Sequence, residues 1–70
     1  MKTHIQQDIE RYRRAVEANY GTHYLERLAV RHVAGDTVAI RFPKGGQVLI
    51  QHERLHALTD YLMHRAKVSA

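Results

Sequence analysis

Tyr24-Leu25-Glu26-Arg27-Leu28-Ala29-Val30-Arg31-His32-Val33 satisfies two periodicities at once, and the choice between them decides the fold. Leu25, Leu28, Ala29 and His32 recur at helical spacing, while Leu28, Val30 and His32 alternate with Arg27, Ala29 and Arg31 as in a strand. We read the stretch as a strand. Ala34-Gly35-Asp36 follows with a short hairpin turn, and a third strand gives a sheet enough area to cover two helices.

Downstream, Val38, Ile40 and Phe42 alternate with Ala39 and Arg41, and Val48 and Ile50 flank Leu49, which predicts two further short strands. Pro43-Lys44-Gly45-Gly46 joins them as a hairpin, with glycine available for positive φ. Upstream, Ile5, Ile9, Tyr12, Val16 and Tyr20 draw one apolar stripe, predicting a helix from about His4 to Asn19. Thr3 with Gln6 fits a capping box, and Gly21 stands where a left-handed residue would end the helix. Leu55, Leu58, Leu62 and Ala66 predict a second helix over about His52 to Ala66. The expected fold is α+β, in the order helix-strand-strand-strand-helix. Its sheet is a three-stranded antiparallel meander with both helices packed on one face.

The expected core is Ile5, Ile9, Tyr12, Val16, Leu28, Val30, Val38, Ile40, Phe42, Val48, Ile50, Leu55, Leu58 and Leu62. Strand alternation then sends Arg27, Ala29, Arg31, Ala39, Arg41 and Leu49 to the opposite face, which no remaining segment can cover. Arg27, Arg31 and Arg41, with Lys44 in the neighbouring hairpin, are the expected binding residues.

Composition narrows the function. The 70 residues, 44% of them hydrophobic, suit one small soluble domain spanning residues 1–70. A core of that size is worth only roughly 3–5 kcal/mol net, which favours binding over a deep, strained catalytic pocket. Cysteine is absent, which removes disulfides and thiolate metal sites and suits a cytoplasmic protein. The amino terminus turns polar after Ile5, and no apolar run approaches the roughly 18 residues of a membrane span, so neither export nor a membrane location is expected. The net charge is +4 with the histidines neutral. Arginine dominates the cations, and its planar fork matches phosphates and carboxylates. No block of sequence concentrates the charge, so any basic surface must be assembled by folding.

His52-Glu53-Arg54-Leu55-His56 resembles the H-E-x-x-H motif of zincin metallopeptidases, which implies zinc on His52 and His56 with Glu53 as general base. Against this, Arg54 would put a cation beside the metal. The zincin third-ligand spacing is missing, and Asp60 and His64 drift around the helix by about 40° per step of four residues. No catalytic residue, resident metal or other cofactor is therefore expected, and metal binding by His52 and His56 would be incidental.

Gly21-Thr22-His23-Tyr24, with the element order, resembles the HicA-type messenger-RNA interferases, which implies a general acid or base at His23. Tyr24 departs from the second histidine of that family's run, and the first hairpin is longer. The same order is similar to a double-stranded-RNA-binding domain, whose second helix starts Lys-rich. Here that start reads Gln51-His52-Glu53-Arg54, with an acid in the working position. Arg11, Arg13 and Arg14 are interleaved with Asp8, Glu10 and Glu17, as on a solvated helix face.

These readings converge on a small non-enzymatic regulatory protein that binds a macromolecule through an Arg-rich face. Nucleic acid or a nucleic-acid-handling protein is the expected partner. The alternative is a purely protein-binding inhibitor or adaptor, as a monomer or as a homodimer, since Leu49 on the open face and a small core both gain from self-association.

Overall fold

The computed structural model describes residues 4–69, with side chains over 4–67; the capping-box residue Thr3 lies outside them. The chain runs α1 (His4–Tyr20), α2 (Thr22–Arg27), β1 (Ala29–Ala34), β2 (Thr37–Arg41), β3 (Gln47–Gln51) and α3 (His52–Ser69). The strands form one antiparallel sheet in the order β1-β2-β3, and α1 and α3 pack on the same side of it.

The two long helices run parallel. Asp8 meets His52, Arg11 meets Asp60 and Asn19 meets Leu62, in the same order along both helices. Apolar side chains fill the space beneath them: Ile5, Tyr12, Ala15 and Val16 from α1, Leu55 and Leu62 from α3, and Leu28, Val38 and Ile40 from the sheet side. Each fully buried aliphatic side chain of this set contributes about 1.5–3 kcal/mol. Thr59 is also buried, and its hydroxyl donates to the Leu55 carbonyl at 2.9 Å, so no polar atom there is left unsatisfied.

The deciding stretch splits between its two readings. Residues 22–27 form a short helix and residues 29–34 a strand, with Leu28 between them in an extended conformation. Gly21 is the cause. Its φ of 91° and ψ of 168° lie outside the range of a side-chain-bearing residue, so α1 stops there and α2 sets off at once in a new direction. Leu25 and Tyr24 then pack against the core, and Leu28 is buried. Arg27, expected on the open sheet face, is therefore on α2 instead.

Two expected positions behave differently for reasons of coverage. Val48 stays 40% exposed, because α3 packs mainly against α1 and leaves the hairpin half of edge strand β3 uncovered. Ala39 faces away from the helices yet is buried, being the small residue between its register partners Arg31 and Leu49. Both hairpins form as expected. Gly35 takes φ 52° in the first turn. In the second, the Phe42 amide donates to the Gly46 carbonyl at 3.1 Å and the Gly45 amide to the Phe42 carbonyl at 3.0 Å.

Candidate nucleic-acid interface

The antiparallel register aligns the open face in cross-strand rows. Ala29, Arg41 and Gln47 make the row nearest the β2–β3 hairpin, and Arg31, Ala39 and Leu49 make another, two residues further along each strand. With Val33 these residues line a shallow concavity of about 390 Å³. Its centre is small or apolar and its cations are Arg31 and Arg41. Leu49 is 62% exposed and Val33 52%.

Arg27 and Lys44 are not on that face. They line a second cleft, of about 330 Å³, between α2 and the β2–β3 hairpin, together with Tyr20, His23, Tyr24 and Pro43. The two surfaces adjoin. Ala29 is the register partner of Arg41, Arg27 precedes Ala29 by two residues and Lys44 follows Arg41 by three. Chain reach and strand spacing thus hold the α-carbons of Arg27 and Lys44 within roughly 13 Å of that of Arg41. All four side chains are exposed, and none has a side-chain hydrogen bond or ion pair among the described residues.

Most of the carboxylates lie elsewhere, the exception being Glu26, directly before Arg27. Asp8, Glu10 and Glu17 are on α1, Glu26 on α2, Glu53 and Asp60 on α3, and Asp36 in the β1–β2 turn at the other end of the sheet. No strand and no residue of the β2–β3 hairpin is acidic. Among the cations of the helical layer, Arg11 is drawn into that acidic set, while Arg14 and Arg54 are exposed and have no ion pair among the described residues. Arg11 pairs with Asp60 at 2.9 Å, and Arg13 donates to the Leu28 carbonyl at 3.4 Å. Asp8 and Arg11 thereby join α1 to α3, so that helix face is more than the solvated surface expected of it. Arg31, Arg41 and Lys44 thus stand on strands and a hairpin that carry no acidic residue.

His52, Glu53 and His56 line one cleft together with His4 and Asp8, but the two imidazoles are engaged separately. His52 Nε2 is hydrogen-bonded to Asp8 Oδ2, while His56 Nε2 lies 3.5 Å from Asp60 Oδ2. Each imidazole thus answers to a different carboxylate, and no group of three metal-ligating side chains occurs among the described residues. His23 is exposed on α2, and its neighbours in the cleft include aromatic and cationic side chains.

The cleft residues missed by sequence reasoning are Tyr20, Tyr24 and Pro43; the apolar stripe of α1 takes in Tyr20, although it is 48% exposed, and His23 stands out in the sequence only as an acid or base. Tyr20 and Tyr24 are four apart, as on one helix face, yet Gly21 interrupts that helix. Their rings still meet, with centroids 4.8 Å apart and planes tilted by 30°. Nearby, Tyr12 is buried, and burial, with smaller contributions from Tyr24 and then Tyr20, pushes its phenol above the ordinary value.

No helix among the described residues is long and apolar enough to cross a membrane. Compared with known proteins, the chain matches no family model, no curated protein and no solved structure.

Proposed function

We propose that the protein is a small regulatory nucleic-acid-binding protein that acts by binding rather than by chemistry, with Arg27, Arg31, Arg41 and Lys44 engaging the phosphodiester backbone. The observation that carries this reading is the segregation of charge. Four exposed cations without ion-pair partners among the described residues adjoin one another on the open face and in the cleft beside the β2–β3 hairpin; Glu26, directly before Arg27, is the one carboxylate next to them in sequence, and the other six sit on α1, on α3 and at the far turn. Cations whose charge is not spent within the fold are free to displace the counterions of a polyanion, the main source of sequence-independent affinity.

Fluorescence anisotropy with labelled oligonucleotides tests the proposal. Replacing Arg31, Arg41 and Lys44 together by Ala is expected to weaken binding by roughly an order of magnitude or more at moderate salt. The pair Arg14→Ala and Arg54→Ala, on the helical layer, should leave it nearly unchanged. Equal losses in the two variants would show that net charge, and not this surface, governs binding.

A second reading rests on Leu49 and Val33, whose exposure on the open face is more than a solvated sheet needs. There the face binds a protein or a second copy of the chain, and affinity is carried by Leu49 with little dependence on salt. Sedimentation over a hundredfold concentration range separates self-association from a monomer.

A further inference from the structure

We infer that the cleft between α2 and the β2–β3 hairpin holds one unpaired nucleotide of a single-stranded nucleic acid, its base against Tyr20 and its phosphate on Arg27 and Lys44. This rests on the nucleic-acid reading above and assigns the strand type. Four observations lead there. Tyr20 is 48% exposed although one side of its ring lies against Tyr24, so an aromatic surface is held in place and left open. The cleft, at about 330 Å³, is within the range of small-ligand sites. Its only formal charges are the two cations, with His23 as an added donor or acceptor, and no carboxylate lines it. Pro43 adds an apolar side chain to its lining.

A base paired within a duplex already has both faces stacked, so this cleft favours a strand whose bases are free. Stacking on an aromatic ring tolerates every base, which suits recognition without strong sequence preference. The Tyr20–Tyr24 contact keeps the platform ordered before the ligand arrives and reduces the entropy lost on binding. The open sheet face lacks any aromatic residue among those lining its concavity, so stacking is confined to the cleft and phosphate contacts continue from it onto Arg41 and Arg31.

The test compares a uridine 12-mer, a thymidine 12-mer, a 12-base-pair duplex and an oligoglutamate peptide at one salt concentration, using the full chain. The wild type is expected to bind both single strands more tightly than the duplex or the peptide. A preference between the two 12-mers identifies RNA or DNA as the natural form. Tyr20→Ala should weaken single-strand binding about tenfold and leave duplex binding unchanged, and Tyr20→Phe should retain the affinity. Tyrosine fluorescence, read in a chain that has no tryptophan, should be quenched by the single strand in the wild type and much less in Tyr20→Phe. If Tyr20→Ala does not fold, that quenching comparison and Lys44→Glu on the exposed hairpin decide the matter, the latter losing single-strand affinity. Single-strand affinity and quenching indifferent to Tyr20, or peptide bound as tightly as oligonucleotide, overturn the inference while leaving a basic surface in place. Failure of every nucleic acid to bind at low salt overturns the reading beneath it as well.

Discussion

Asn19 shows how single polar side chains fix the arrangement of the helices. Its amide donates to the Ala15 carbonyl within α1 and to the Leu62 carbonyl of α3, each at 2.8 Å, so the end of α1 is tied to the middle of α3. Asn19→Ala should lower stability by about 1 kcal/mol, the usual net worth of such a bond, as urea denaturation would show through a lower midpoint at constant slope. Tyr12 makes a different contribution. Its phenol is held above its ordinary value near 10, so the folded state favours the neutral ring. That preference is fully present below pH 10 and is lost as pH rises through the raised value. Wild-type stability should therefore fall in alkali, and Tyr12→Phe should flatten that fall in a pH series of thermal melts. At this scale the large apolar side chains were legible from periodicity: Ile5, Tyr12, Val16, Val38, Ile40, Leu55 and Leu62 are all buried. Ala15 and Thr59 were not, because a small or hydroxylated side chain carries little hydrophobic signal even where two helices meet over it.

Gly21 governs the element scale. A Cβ at this position would meet nothing within 4 Å, so only the positive φ stands against a side chain. Gly21→Ala should cost about 1–3 kcal/mol through backbone strain alone, read as a lower denaturation midpoint. Because Gly21 sets the angle between α1 and α2, the same variant should also loosen the Tyr20–Tyr24 pair and change tyrosine fluorescence. The two long helices and both hairpins could be read in advance, since each has a sustained period or a turn with glycine where positive φ is needed. The stretch from Tyr24 to Val33 could not be read as one element, because it is two. Leu25 obeys the helical period, Val30 obeys the strand period, and Leu28 satisfies both while belonging to neither. Arg27 was misplaced as a result, and the tyrosine cleft stayed hidden behind the assumption of a continuous strand.

At the scale of the whole molecule, the fold sorts charge that the sequence spreads evenly. Helical segments carry most of the acids and face one another across the α1–α3 seam, where Asp8, Arg11, His52 and Asp60 find partners. The exposed Arg11–Asp60 pair is worth at most about 1 kcal/mol, so its main consequence is to remove a cation from the free surface. Arg31 and Arg41 were legible as open-face residues from strand alternation alone. Their adjacency to Arg27 and Lys44 was not, since it depends on β1 pairing with β2 and on α2 turning toward the hairpin. The central claim is that these four cations act together on a phosphate backbone. The salt dependence of single-strand affinity measures this most directly, as each phosphate neutralised adds roughly 0.7 to the slope of log K against log salt. The account predicts a slope near −3 for the wild type, reduced by about 0.7 in each of Arg27→Ala, Arg31→Ala, Arg41→Ala and Lys44→Ala and unchanged in Arg14→Ala. A slope that is flat, or that responds to Arg14 as much as to the four, would contradict it.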